Sequence, residues 1–379
     1  MESPPRAGVY LPQPGGYRAF IPSPLPPTPP VVMDDAMQQA LSLADRALGR
    51  LDGSIRTLPN PDLFVFMYVR KEAVLSSQIE GTQSSLNDLL EAEAAIFDAE
   101  RPRDVDEVLN YVRAMNYGLA RLDTLPLSVR LIREIHQQLL EGVRGGNKQP
   151  GALRQTQNWI GPAGCTLNNA TFVPPPPQQV PQVLGDLEIF LHEERLPALV
   201  TIGLAHAQFE TIHPFLDGNG RVGRLLIAFL LYQREILHKP VLYLSHYFKR
   251  NRAEYYERLQ AVRDQGDWEG WLRFFLAGVH KVAQEATDTA RKIVDLREHH
   301  RQLITQHFGR VTGNALKVLE HLYERPIISV NDIMQLTGVT FPPASRVMQK
   351  LVEHGLLTET TGQARNRLFR YRPYIDLFS

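Results

Sequence analysis

Twelve consecutive residues, His213-Pro-Phe-Leu-Asp217-Gly-Asn-Gly-Arg221-Val-Gly-Arg224, hold the densest set of chemically capable groups in the chain. Gly218 and Gly220 tolerate positive φ and leave their amides uncovered, so successive N–H groups can line an anion nest. The apolar run Leu225–Gln233 follows at once, so the nest opens onto a helix N-terminus that also favours negative charge. Arg221 and Arg224, three apart, add forked donors suited to phosphate oxygens. Asp217 is a hard oxygen ligand of the kind that holds Mg²⁺ beside phosphates. His213, four residues earlier, can accept a proton from an attacking hydroxyl near neutral pH. Asp-Gly and Asn-Gly are also ordinary turn dipeptides. A plain turn explains neither the paired arginines nor the helix that follows, so the spacing points to phosphate chemistry.

These groups need a scaffold, and the surrounding pattern predicts a helical one. Met37, Ala40, Leu41, Ala44 and Leu48 recur at helical spacing. After a break at Leu58-Pro-Asn-Pro-Asp, a second helix is expected from about 63 to 78. A third, capped by Ser84 or Ser85, runs through Leu89, Leu90 and Ala94 towards Phe97. Further helices fit about 104–122, 128–142, 180–194 and 197–212, and a long polar one fits Val279–Gln306. Ten of the 28 prolines, Pro4 and Pro5 among them, precede residue 33. That stretch is expected to be an extended arm or a disordered leader without helix or central strand. Gly151–Pro177, with its short apolar pieces and four closing prolines, reads as a small hairpin or irregular flap. Beyond Gly309, helices at Ala315–Glu324, Val330–Leu336 and Pro343–His354 precede two short strands about Gly362, a winged-helix pattern.

Composition sets outer bounds. A chain of 379 residues allows two or three domains, and 43% apolar with 22% charged residues is ordinary for a globular protein. Lys+Arg and Asp+Glu balance at 41 each, so anion binding must be local. The single cysteine, Cys165, excludes an internal disulfide and any multi-cysteine zinc site. The longest apolar run, Leu225–Tyr232, is far short of a membrane span, and no secretory leader is seen. A cytoplasmic protein with no membrane partner is expected.

The twelve-residue segment matches, at every position, the signature of the Fic (Fido) domain family, His-Pro-Phe-x-Asp-Gly-Asn-Gly-Arg-x-x-Arg. The chain resembles bacterial family members of the protein adenylyltransferase type. The resemblance implies a mainly α fold: a Fic-type helical core with a small β-hairpin flap, plus a C-terminal winged helix-turn-helix domain. It divides the chain into a proline-rich arm (1–33), a helical N-terminal region (34–119), a catalytic core (120–275), a linker helix (276–309) and the winged helix (310–379). It also implies AMP transfer from ATP to a Ser, Thr or Tyr hydroxyl of a target protein, or of the chain itself, with pyrophosphate released. By that likeness His213 deprotonates the hydroxyl, Asp217 holds Mg²⁺, and Gly218, Asn219 and Gly220 form the anion hole. Arg221 would grip the phosphate chain and Arg224 would reach the γ-phosphate. Trp159-Ile160-Gly161-Pro162 resembles the family's target-docking hairpin, and Ile160, Gly161, Glu80 and Tyr255 are expected beside ATP. A surface loop and a core aromatic are the ordinary alternatives for that flap and for Tyr255.

Ser76-Ser-Gln-Ile-Glu80-Gly81 resembles the family's inhibitory motif, [Ser/Thr]-x-x-x-Glu-[Gly/Asn]. Ser76 and Glu80 share a helix face, and Gly81 can end that helix, which spans about 63–81. Glu80 is expected to pair with Arg224 and occupy the place of the γ-phosphate. Alternative readings are removal of AMP at the same site, or a winged-helix DNA-binding regulator with a nucleotide-sensing core. From 310 to 379, nine Lys/Arg face six Asp/Glu, with Arg365, Arg367, Arg370 and Arg372 on the wing, so DNA is a candidate partner. A homodimer that stabilises the inhibited form is a further expectation.

Overall fold

In a computed structural model, the structure describes residues 6–56, 58, 61–94, 104–162, 164–362 and 367–378, with Leu63 described by its backbone alone. Pro4, Pro5, Phe97 and Arg365 lie outside the described residues. The described chain is mainly helical. Strands β1 (Gly8–Pro12) and β2 (Arg18–Pro22) come first, followed by α1 (Asp35–Arg56), α2 (Pro61–Ile79) and α3 (Leu86–Glu93). Then come α4 (Val105–Leu122), α5 (Val129–Leu140), α6 (Val180–Leu191), α7 (Ala198–Ile212) and α8 (Asn219–Gln233). The series continues with α9 (Ser245–Arg250), α10 (Arg252–Gln265), α11 (Trp268–His307) and α12 (Thr312–Leu322). Strand β3 (Ile327–Ser329), α13 (Val330–Thr337), α14 (Phe341–Glu353), β4 (Thr358–Glu359), β5 (Leu368–Arg370) and α15 (Arg372–Ile375) complete it.

The chain divides into two compact units. The first comprises 1–52, 72–84 and 102–284. Its centre is α7, in which every residue from Leu199 to Ile212 is buried, with α6, α8 and α10 packed against it. A helix apolar on all sides has no amphipathic face and belongs in the interior, which explains the dense apolar composition of α7 and α8. The helix α4 packs against α5 and α8. Tight packing of the two central helices is what makes the connection between them, 213–218, a fixed loop.

Two sequence expectations change here. The proline-rich arm is not featureless: β1 and β2 form an antiparallel hairpin in the register Gly8↔Pro22 to Pro12↔Arg18. Its prolines fall at the strand ends, and the residues between them keep their donors. The boundary expected between residues 275 and 276 falls inside α11, which is continuous over 40 residues. No proline occurs from Trp268 to His307, so nothing removes a donor from that helix.

The second unit comprises 53–71, 85–101 and 285–379. A capping box of Ser329 and Asp332 starts α13, and Gly338 in the left-handed region ends it before α14. The strands form an antiparallel sheet in the order β3-β5-β4. Val318, Leu322, Ile333, Val347, Leu351 and Phe369 are buried in this unit. Among the described residues, no helix is long and apolar enough to cross a membrane.

Candidate active site

The site is built on the junction of α7 and α8. α7 ends at Ile212, and His213 follows in the left-handed region (φ 49°), its amide donating to Phe209 O at 3.0 Å. A non-glycine residue held there is costly and persists only where its surroundings over-determine it. The surroundings are specific. Arg154 Nε donates to His213 O at 2.9 Å, and Asn158 Nδ2 donates to His213 O at 3.3 Å and to Phe215 O at 2.9 Å. Asn219 closes the loop, accepting from Phe215 N and donating to Phe215 O, each at 2.9 Å. Gly218 (φ 76°) then starts α8. The first backbone bond of α8 runs from Val222 N to Gly218 O, so the amides of Asn219, Gly220 and Arg221 have no intrahelical acceptor.

His213 is held in its neutral form. Burial, with the charges of Arg263 and Arg154, lowers its pKa to about 3, so the ring is neutral at pH 7. Its Nδ1 is buried without a hydrogen-bond partner. Asp217 Oδ1 accepts from Gly218 N at 2.6 Å. A Cβ on Gly145 would stand 2.8 Å from Asp217 Oδ2, so only glycine leaves space around that oxygen. A partly exposed carboxylate with one oxygen free suits Mg²⁺, which takes one or two protein carboxylates and completes its shell with phosphates and water. Among the described residues no group of three or more His, Cys, Asp or Glu could hold a metal ion.

The two arginines differ. Arg221 is buried, with Nη1 3.3 Å from Glu107 Oε2 and Nη2 3.6 Å from Asp217 Oδ1, while its Nε has no partner. Arg224 is held by the end of α2. Its Nε donates to Ser76 Oγ at 2.8 Å, and its Nη2 donates to Ser76 O at 2.9 Å and to Glu80 Oε1 at 2.7 Å. Burial pushes the Glu80 carboxyl up, but the charge and hydrogen bond of Arg224 outweigh it and hold the group below its usual range. A Cβ on Gly220 would collide with Glu80 Oε1 and stand 3.0 Å from Arg224 Nη1. Glu80 therefore lies against Gly220 in the first turn of α8. Gly81 (φ 99°) terminates α2 just beyond it.

Other expected residues lie around this centre. Ile160 exchanges backbone hydrogen bonds with Phe172, at 2.8 and 3.0 Å, as a bridge of the flap, and Gly161 next to it is exposed. Tyr255 is fully buried. His206 Nδ1 faces the Gly223 carbonyl at 2.8 Å and must carry the proton, so Nε2 accepts from the Tyr255 hydroxyl at 2.9 Å. The adjacent Tyr256 is 38% exposed, and its hydroxyl is influenced by the charges of Glu80 and Arg224. The exposed tyrosine of the pair is thus Tyr256.

Sequence spacing gave no sign of His136, Glu107, Arg154 or Asn158. His136 accepts from Gly151 N at Nδ1 (2.9 Å), so its proton is on Nε2, which donates to Asp217 O at 3.0 Å. Its ring stacks on Phe215, centroids 3.7 Å apart. Two buried carboxyls were also unforeseen: burial raises Glu72 and Glu210 to about 7 each.

The Fic/DOC family N-terminal model matches residues 38–120, and the Fic/DOC family model matches residues 126–231, which contain the whole loop from His213 to Arg224. The chain carries the Fic/DOC family's N-terminal and Fic domains at these residues. It is similar to a protein adenylyltransferase Fic of Drosophila grimshawi, 31% identical over 206 residues, covering 52% of this chain and 38% of the relative. A probable protein adenylyltransferase of Aquifex aeolicus is 28% identical over 208 residues, covering 53% and 57%. The matches therefore span from under two fifths to somewhat over half of these relatives. A Fic family protein from Desulfovibrio desulfuricans has a similar fold, with a TM-score of 0.60 and 21% identity over 90% of this chain and 97% of that one.

Proposed function

We propose that this chain is a protein adenylyltransferase restrained by its own Glu80. The carrying observation is a neutral, half-buried His213 in the loop that leads directly into the open amides of α8. In this reading ATP places its phosphates on the amides of Asn219, Gly220 and Arg221. His213 takes the proton of a Ser, Thr or Tyr hydroxyl, whose oxygen bonds to the α-phosphorus as the bond to pyrophosphate breaks. Asp217 would hold Mg²⁺, which when bound supplies positive charge to the phosphates. Phosphoryl transfer depends mostly on positioning and charge stabilisation, and this loop offers both. Arg224 would receive the γ-phosphate once Glu80 leaves, and Tyr256, or Tyr255 behind it, would line the nucleotide side with Ile160 and Gly161.

The names of the relatives support AMP transfer, and the 2.7 Å pair of Glu80 with Arg224 supports the restraint. We further read residues 310–379 as a winged helix, supported by the order of α12, β3, α13, α14, β4 and β5, with DNA or protein as its partner. The test is incubation of wild type, Glu80→Gly and Glu80→Gly/His213→Ala with α-³²P-labelled ATP, Mg²⁺ and cell extract. Protein label should be strong in Glu80→Gly, weak in wild type and absent in the double variant. No label in any of them would reject the reading.

A further inference from the structure

The flap is held by more than itself. Among the described residues its own pairing is one bridge between Ile160 and Phe172, and an isolated pair of short strands is marginal in water. The next partner is the N-terminal hairpin: Phe20 N donates to Val173 O at 2.9 Å. Hydrogen bonding therefore runs in sequence from β1 to β2, then to 172–173, then to Ile160. The Phe20 and Phe172 rings are both fully buried, with centroids 5.9 Å apart, and Tyr10 meets Phe20 edge-on at 4.9 Å.

The hairpin is anchored on the helices of the first unit. Arg6 makes two 2.9 Å hydrogen bonds to the Glu269 carboxylate. The Tyr10 hydroxyl donates to Asp264 Oδ1 at 3.0 Å, and Gln208 Nε2 donates to Ser23 O at 2.8 Å. On the other side of the chain of contacts, Arg263 stands 3.9 Å over the Phe172 ring and donates to Glu210 O, one turn before His213. Asn158, two residues before Ile160, donates to the His213 carbonyl.

We propose that the β1–β2 hairpin is a built-in brace for the flap, and that Phe20 is a positioning residue for presentation of the protein acceptor to His213. The inference rests on the reading that the flap receives the acceptor. Ordering the flap before the acceptor arrives removes that cost from binding, and it fixes the distance on which transfer depends. In this reading the phosphates of the nucleotide meet the α8 amides and not the hairpin, so the brace acts mainly on the acceptor side and reaches ATP only through Ile160 and Gly161.

The experiment uses the full chain with Glu80→Gly, alone and with Phe20→Ala or Phe20→Leu. Amide hydrogen exchange is measured across the chain, and AMP transfer to extract proteins is measured against ATP concentration. In Phe20→Ala, exchange at Ile160 and Phe172 should quicken about tenfold or more while α7 and α8 stay protected. The KM for ATP should hold within about twofold while the maximal transfer rate falls about tenfold, and Phe20→Leu should restore most of both. Unchanged exchange at Ile160 and Phe172 would overturn the brace, as would acceleration spread equally over α7 and α8. A faster flap with an unchanged transfer rate would overturn the positioning role. If no variant transfers AMP at all, the proposed function falls, while the exchange data still decide the brace.

Discussion

Glu80 and Arg224 are 144 residues apart in sequence and 2.7 Å apart in space, across the N-terminal end of α8. Only a glycine at 220 leaves room for the Glu80 carboxylate there. In the proposed reading the acid occupies the place of the γ-phosphate beside Arg224. Replacing it with glycine frees Arg224 and the space together. Glu80→Gly should raise AMP transfer by about a hundredfold, the scale associated with correcting a misplacement of 1 Å. Equal rates of label incorporation in the two proteins would refute the restraint.

His136 should matter to the reaction without touching substrate. It ties Gly151 N to Asp217 O, and burial lowers its pKa to about 4, so the neutral ring with one donor and one acceptor persists at pH 7. His136→Ala leaves two backbone groups unpaired and removes the stack on Phe215. In the Glu80→Gly background this should cut transfer about tenfold or more and raise the Mg²⁺ concentration for half-maximal rate. A Mg²⁺ titration unchanged from the parent would show that His136 does not position Asp217.

The rate should ignore the ordinary histidine range. Burial and the nearby arginines lower His213 to about 3, so its neutral fraction does not change between pH 8 and 6. A pH–rate profile of Glu80→Gly should be flat over that interval as far as the base is concerned. A tenfold fall with a midpoint near 6.5, abolished together with activity in His213→Ala, would contradict this.

Glu210 makes stability depend on pH in a defined direction. Burial raises its folded pKa from 4.5 to about 7, and one carboxyl oxygen has no partner. The folded state therefore binds the proton more tightly than the unfolded chain. That contribution is complete below pH 4.5 and is lost as pH rises through about 7. Glu210→Gln mimics the protonated form, so the variant should match wild type at low pH and exceed it above pH 7. Thermal melts from pH 4.5 to 8.5 would show it; parallel curves would disprove the assignment.

The sequence alone determined what was contiguous or periodic. Helical spacing placed α4, α5 and α6 within a few residues of their observed ends, because those helices bury a stripe that repeats along the chain, and α7, buried on every side, showed in its apolar length. The span from His213 to Arg224 was legible because the loop and helix start lie within twelve residues, so spacing is geometry there. Gly81 at the end of α2 was legible for the same reason. The hairpin in the arm was hidden, since its proline-rich flanks mask two short strands that pair with each other and then, through Phe20, with Val173. What supports the loop came from the fold. His136, Arg154, Asn158 and Glu107 lie 55 to 114 residues from their partners in it, and no periodicity spans such a gap. Nor could spacing distinguish Tyr255 from Tyr256: neighbours on a helix point about 100° apart, and packing against His206 decides which one is buried.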